Sequence, residues 1–485
     1  MSLESKIPTL LANIENHSAT IKHNSILFDI YEGDLLKYIM EDLKSQLSLQ
    51  SLFQAQHRVV PINVIKRVVN KISRIYDRAP VRNVAGDGVK EEDKELLSWY
   101  EKKLGFNRKM KHNVRAFNLY KNSALHLFLD KKPNEKQGVP KIRVIPSNAF
   151  LPYSDNPADP TTPTIQTVYM GERVIKSKKG KVEKTVKIFH AYSDEEFIIF
   201  NSDKEVMEEE MVRIGNPEGE NVFGKIPIIY SNQSENLLVP KIDSDTLALA
   251  KIIPIMLSDL NYAVMFQAFS IIYGINLKNK DNLKMAPNAF WDLISSDPEK
   301  EAKVGQLKPQ VDINEVLQLV QAEFALWLNT KGIRPGAIGQ LTTENFASGI
   351  SKMIDEMDVT EQRMDQVEEY TDVEGDFWDL VFNHAHPYWV DNNLIDNNQL
   401  LNENVKVETI FAEQVPVYRR GELVRDLNEE VNAGFTTRKR AIHKLNPHMS
   451  EEEVEELQEE IDEESGTVKV EEKTDDIDKE GEDDK

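Results

Sequence analysis

The chain has 485 residues, of which 40% are hydrophobic and none is cysteine. That length and apolar content can bury a sizeable core over roughly two to four domains, and the missing cysteines exclude a disulfide framework, a thiolate nucleophile and a cysteine-ligated zinc. The net charge of −23 is uneven, with −15 of it carried by residues 451–485, so the body is mildly acidic and lacks the basic stripe with which proteins grip DNA phosphates.

The opening residues, MSLESKIPTLLANIENHS, show no apolar run after a basic start and read as an amphipathic helix, not a secretory signal. Residues 1–130 as a whole read as helical. ILFDIYEGDLLKYIMEDLKSQL has helical spacing, and after Pro61 so does INVIKRVVNKISRIY, where Ile62, Ile65, Val69 and Ile72 share a face with basic residues between them. Those bases are better explained as a solvated face than as nucleic-acid contacts. VRNVAGDGVKEEDKEL reads as a loop leading into a helix around Trp99–Leu104.

From Pro140 the period changes. IRVIPSNAFLPY, TIQTVYMGERVI, KTVKIFHAYS and EEFIIFNS are short, rich in β-branched and aromatic residues, and separated by turn formers, which predicts an antiparallel meander with KSKKGKVEK as a hairpin tip. NVFGKIPIIYSNQ, residues 221–233, closes this region.

A helix of about thirty residues follows Ser/Asp at 244–245, apolar on nearly every face and interrupted by Pro254. Its uncharged stretch, Leu260–Leu277, is broken by Asn261, Gln267, Ser270, Gly274 and Asn276, so burial between protein surfaces explains it better than a membrane span. After a mixed segment comes INEVLQLVQAEFALWLNTK. Its apolar face carries Val316, Val320, Phe324 and Trp327, opposite a small uncharged stripe of Gln318, Gln321, Ala322, Ala325 and Asn329. The glycine-rich TKGIRPGAIGQLTTENFASGIS then joins it to a very long helix, from Phe346 to about His384, with Ile350, Met353, Ile354, Met357, Met364 and Val367 on one face.

The last structured block predicts a helix ended by Gly434, a second opening at Thr436 or Thr437 and stopped by Pro447, and a third capped by Ser450 with Glu453 at the capping-box offset. Beyond Gly466 the Asp, Glu and Lys mixture cannot bury enough apolar surface to fold.

No active site emerges. Gly332, Gly336 and Gly339 are not followed by the Gly-Lys-Ser/Thr of a phosphate loop and follow no strand. His384 and His386 lie two apart at a helix end before Pro387, a spacing that suits two metal ligands only on a strand. No cofactor, metal site or catalytic residue is expected, and the protein is read as a non-enzyme.

The order of helices, β meander, long apolar helix, mixed segment, second helix, glycine-rich loop, very long helix and small C-terminal bundle resembles a tailed-bacteriophage portal protein of the SPP1-like type. HRVVPINVIKRVVNKISRIYDRAPV, NVFGKIPIIYSNQ, ENFASGIS and GFTTRKRAIHKLNPHMSEEEVEELQEEI carry the resemblance. It implies an α+β, mainly α portal fold in a ring-shaped homo-oligomer of about twelve subunits. Residues 1–240 would form the wing, 241–272 the first stem helix, 273–312 the clip, 313–331 the second stem helix and 332–345 the tunnel loop. A long wing helix and return segment would follow over 346–416, then the crown over 417–463 and a disordered acidic tail over 464–485.

The same resemblance implies the site residues. Gly332, Arg334, Gly336, Gly339, Gln340, Thr343 and Asn345 would line the tunnel loop, and Gln318, Gln321, Ala325 and Asn329 would face the channel from the stem. Lys280, Lys284, Trp291 and Lys303 would meet partners at the clip. The expected partners are double-stranded DNA passing without sequence specificity, the terminase large subunit, the head-tail adaptor, and the major capsid and scaffolding proteins, with no membrane. The expected location is the portal vertex of the virion, and the host cytoplasm during assembly. A self-assembling acidic scaffold or chaperone is the alternative, and it leaves the β meander unexplained.

Overall fold

The computed structural model describes residues 2–46, 52, 59–86, 88–132, 135–176, 183–269, 271–276, 278, 295–297, 299–307, 312–333, 349–400, 406–411, 420–446, 454–455 and 457–461. The chain divides into two compact units, one of residues 1–346 with 354–412, the other of 347–353 with 413–485.

The larger unit opens with α1 (Leu3–Asn16), α2 (Ser18–Glu32), α3 (Leu35–Gln46), α4 (Val64–Ile72), strand β1 (Val81–Ala85), α5 (Glu91–Leu104) and α6 (Phe106–Tyr120). Strands β2 (Asn122–Asp130), β3 (Val139–Ile145), β4 (Phe150–Tyr153), β5 (Ile165–Lys176), β6 (Glu183–Tyr192) and β7 (Phe197–Asn201) follow, then α7 (Glu208–Arg213) and β8 (Ile228–Asn232). Next come α8 (Ser244–Phe269), β9 (Ile271–Ile275), β10 (Lys303–Leu307), α9 (Ile313–Thr330), α10 (Gly349–Asp379, whose first residues belong to the smaller unit), α11 (His386–Asp391) and β11 (Lys406–Ile410).

The predicted meander is present as the antiparallel sheet β4-β5-β6-β7, and the β5–β6 hairpin pairs out to Lys176 and Glu183. Its tip lies outside the described residues. The segments expected at either end of the meander, β3 and β8, instead flank β2 in a second antiparallel sheet. The helical expectation for residues 1–130 therefore fails at β2. The first six residues of that strand are all buried, Asn122, Ser123 and His126 among them, so both of its faces are covered and the apolar–polar alternation that marks a half-buried strand is absent. The expected loop at Val81–Ala85 is strand β1, paired with β11 more than three hundred residues later. Neither strand shows its partner locally.

The main core forms where α5, α6, β2 and β3 meet the C-terminal part of α10 and α11, around Tyr100, Phe106, Phe117, Phe377, Trp378 and Trp389. Here the long helix runs further than its proline suggested. Leu380–Ala385 widens into a π turn, and α11 continues with Pro387 in its first turn. Proline is tolerated at that position because its N–H is not required there. Met364, expected on the apolar face of the long helix, is 64% exposed. A separate core forms where Leu3, Ile7 and Leu10 of α1 pack against Ile165, Phe189 and Phe200 of the meander.

The smaller unit holds α12 (Arg420–Asn432) and α13 (Arg438–Leu445). Gly434 adopts φ 79° after α12, and the Thr437 side chain caps α13 by accepting from Arg440 N at 3.3 Å. Both signals lie where the sequence puts them. Ser450 and Glu453 lie outside the described residues, and helix is present again at 454–455 and 457–461.

Candidate functional site

The helices α8 and α9 lie against each other, joined through the antiparallel strands β9 and β10. The N-terminal half of α8 (Leu249, Ala250, Ile253) and Val320, Trp327 and Leu328 of α9, with Ile333, enter one core with α2, α3 and α4. The start of α8 is tied to the end of α9 by Lys331, which donates to Asp243 Oδ2 at 2.6 Å, with Lys121 at 3.5 Å from the same oxygen. Burial by itself would raise the Asp243 pKa, but the hydrogen bond and charge of Lys331, then the charge of Lys121, outweigh it and hold the carboxyl below its ordinary value.

Helix α9 starts at Asp312, whose carboxylate accepts from Asn314 N at 2.9 Å and Glu315 N at 3.3 Å. It ends at Gly332, with φ 67°. Gly332 N donates to Asn329 O at 3.0 Å and Ile333 N to Leu328 O at 2.9 Å, the paired bonds of a glycine-terminated helix. Of the residues expected to line a mobile loop, Gly332 thus has a fixed task as a helix terminator. Arg334, Gly336, Gly339, Gln340, Thr343 and Asn345 lie outside the described residues, as do Lys280, Lys284 and Trp291.

The expected face of α9 is present. Val320 and Trp327 are buried, and Val316 and Phe324 are half-buried. On the opposite side Gln318, Gln321, Ala322 and Asn329 are exposed and Ala325 is half-buried, so this chain leaves an uncharged polar strip open. Beside it stand Leu319, 50% exposed, and Leu326, 68% exposed. The sequence reasoning passed over this pair, although their seven-residue spacing marks one helix face. Lys303, on β10, is exposed and 3.8 Å from Glu301 Oε2.

The α8 helix yields to strand at Ile271, inside the uncharged stretch weighed as a membrane span. Among the described residues no helix is long and apolar enough to cross a membrane. After β9, Asn276 at φ 57° donates to Ser295 Oγ at 2.6 Å and to Lys300 O at 2.7 Å, and accepts from Asp297 N at 3.0 Å. One asparagine thus gathers the segment leading into β10, a role its short side chain suits in turns.

The two histidines are committed to the backbone. His386 Nε2 faces Gln399 O at 2.5 Å, which only a protonated nitrogen can satisfy, so Nδ1 accepts from the Tyr100 hydroxyl at 2.7 Å. His384 Nδ1 lies 2.9 Å from Phe223 O. Among the described residues no cluster of three His, Cys, Asp or Glu could hold a metal ion.

A second ionic centre, unanticipated from sequence, fixes α10. Arg82 of β1 donates through Nε and Nη2 to the two oxygens of Glu374 at 2.6 and 2.7 Å, and through Nη1 to Glu101 Oε1 at 2.6 Å. Tyr76 OH and Thr409 Oγ1 also donate to Glu374, at 2.6 and 2.7 Å. The guanidinium lies 4.7 Å from the centre of the Phe106 ring. Burial alone would lower the Arg82 pKa, but the bonds and charge of Glu374, then of Glu101, more than offset it and raise it.

The family described as phage portal protein, SPP1 Gp6-like, matches residues 12–467. The chain belongs to that family of portal proteins. The family is structural rather than enzymatic, and it makes this portal protein a capsid-associated component of a phage particle. Among solved structures, the portal chain is similar to one titled "Neck of empty GTA particle computed with C6 symmetry", at 11% identity and a TM-score of 0.40, over 81% of this chain and 92% of that one. That likeness is too distant to bear on the site. No curated protein matches.

Proposed function

We propose that this portal protein assembles into a closed ring of about twelve subunits at one capsid vertex, and that double-stranded DNA is packaged and ejected through its channel. Residues 1–240 and 346–416 form the wing, α8 and α9 the stem, 273–312 the clip and 417–463 the crown. The clip docks the terminase large subunit and then the head-tail adaptor. The stem faces DNA with Gln318, Gln321, Ala325 and Asn329, and residues 332–345 form the tunnel loop at the narrowest point.

The observation that supports this best is the open, uncharged strip on α9 in a member of the portal family. DNA that must slide is held back by each cationic contact to a phosphate, because such contacts add up and release counterions. A strip of amides and methyl groups gives no such hold, and the negative net charge of the chain disfavours adhesion. The exposed Leu319 and Leu326 supply apolar surface for a neighbouring subunit to cover.

Two experiments test the proposal. Electron microscopy of the purified protein should show rings with a central hole, and a monomer at every salt concentration refutes the assembly. Procapsids carrying Gln318→Lys with Gln321→Lys should assemble but protect less DNA from nuclease, with relief at high salt. Packaging at the wild-type rate removes α9 from the channel.

A further inference from the structure

Helices α4 and α6 carry a basic face that the charge balance of the whole chain conceals. In a chain of 82 acidic and 59 basic residues, α4 has Lys66, Arg67 and Lys71, and α6 has Arg108, Lys109, Lys111 and Arg115, with no acid in either helix. Each helix turns its other side inward, α4 through Ile65, Val68 and Val69, and α6 through Met110, Val114 and Phe117. Arg108, Lys111, His112 and Arg115 follow the spacing of one helix side. Of these, Arg108 and His112 are exposed and Lys111 and Arg115 half-buried, while Lys66 and Arg67 are exposed on α4.

The fold brings the two sets of charges together. Asn118 Nδ2 of α6 donates to Ser73 Oγ at the end of α4 at 2.9 Å. Asp77, just past α4, accepts from Lys111 and lies 3.8 Å from Arg74 Nε. Tyr31 of α2 donates to Asn70 Oδ1 at 2.8 Å, Lys66 lies 5.2 Å from the centre of its ring, and the Arg115 charge acts on its hydroxyl. Asp77 and Glu32 border this face without balancing it, since Arg108, Lys109 and Arg115 have no ion pair among the described residues. His112 registers the excess: burial first, then the charges of Arg115, Lys109 and Arg108, push its pKa below the ordinary value, with Glu32 opposing. The bases of α4, which in sequence read as a solvated face, are one half of a larger surface.

We propose that α4 and α6 together form a contact for the phosphate backbone of double-stranded DNA, without base readout and separate from the strip on α9. The inference rests on the reading above for the presence of DNA, and adds a surface that holds it outside the channel. Guanidinium forks and ammonium groups meet phosphates without selecting a sequence. The net charge of the chain does not prevent this, because at 0.1 M salt charges more than about 10 Å away are largely screened and the local face decides. An acidic polypeptide fits less well. Among the described residues no large apolar side chain is exposed on α4 or α6, so a peptide finds no anchor there, and exposed ion pairs contribute little against the cost of ordering a flexible chain. A duplex is already rigid and releases condensed counterions when it binds.

The test uses the full chain and a small covalently closed duplex circle, which cannot thread a channel. Filter binding should detect a complex at about 50 mM salt with about 100 µM protein or less, and log K should fall with log salt by about 0.9 for each phosphate neutralised. Lys66→Gln with Arg67→Gln, and Arg108→Gln with Arg115→Gln, should each lower that slope by about two and weaken binding by about tenfold, in variants whose circular dichroism matches wild type. Lys94→Gln with Lys132→Gln removes the same charge from lysines paired with Glu91 and Glu135 elsewhere, and should change neither quantity. Polyglutamate at equal charge should displace little of the circle. No binding, an equal loss in the Lys94 and Lys132 control, or full displacement by polyglutamate each overturns the proposal, the last by making an acidic polypeptide the partner. If rings fail to form while the circle binds as described, only the assembly reading falls, and rings that leave the circle unbound remove this contact alone.

Discussion

Glu374→Gln is the sharpest perturbation of the frame that holds the long helix. The Glu374 side chain is fully buried, and four donor bonds converge on its two oxygens: two from Arg82 and one each from Tyr76 and Thr409. An amide of the same shape keeps one acceptor oxygen and replaces the other by an NH₂, so whichever way it is turned one Arg82 N–H meets a donor, while the hydroxyl on that side can turn and accept instead. The Arg82 charge is also left without its buried partner. Breaking one side of a buried pair costs about 3–5 kcal/mol, and that is the loss expected here. Glu101 is the internal comparison. It meets the same guanidinium but is 31% exposed, so Glu101→Gln should cost only about 1 kcal/mol. Replacing both partners, Arg82→Met with Glu374→Leu, should recover part of the loss, because the buried charge disappears while two hydroxyls remain unpaired. Urea unfolding followed by near-ultraviolet circular dichroism compares the three variants with wild type. If Glu374→Gln destabilises no more than Glu101→Gln, the four bonds do not act as a unit and α10 is held by apolar packing alone.

Acid should weaken the junction of the two larger sheets, because burial and then the charge of Arg143 push His126 down to about 3 and His190 to about 4. The unfolded chain takes up these protons first, near 6.5. Stability is therefore level above that pH and falls below it by up to about 1.4 kcal/mol per unit for each ring until the folded values are reached. His126→Gln with His190→Gln should flatten the slope in urea titrations between pH 7 and 5, and an unchanged slope assigns it to other groups. In the stem, Leu328→Ala should cost about 2–5 kcal/mol, since the side chain is fully buried. Leu326→Ala, at a position 68% exposed, should change the stability of the isolated chain by no more than about 0.5 kcal/mol yet reduce ring formation, as sizing chromatography would show.

Periodicity made α9 readable: Val320 and Trp327 are buried and Gln318, Gln321 and Asn329 are open. The caps of α13 and the β4–β7 meander were legible for the same reason, since each is written in neighbouring residues. What could not be read depends on distant partners. β1 and β11 are strands only because each completes the other, and β2, buried over most of its length, lacks the alternation that would have named it. Pro387 looks like a helix stop until the π turn before it supplies another path for the chain. Glu374 is one of 82 acidic residues, and nothing local separates it from those that face water.

The two ionic arrangements suit opposite physical demands. Where α10 must be held, the chain concentrates Arg82, Glu374 and Glu101 among aromatic rings, and the low local dielectric makes each bond costly to break. On the open strip of α9 the chain places amides and two alanines, with Glu323 off to one side and half-buried. A surface that lets a polyanion slide needs neither strong attraction nor a dense row of like charge, because the first stalls the strand and the second opposes its entry. The exchange of Gln318 and Gln321 for lysine therefore has a counterpart in their exchange for glutamate. Both should slow packaging, and both more at low salt where charge is least screened, but lysine should do so by holding DNA already in the channel, whereas glutamate should hinder the first entry of DNA and leave a packaged end in place. A pair of variants that fail in the same way at every salt concentration would mean that the strip acts through its shape rather than its neutrality.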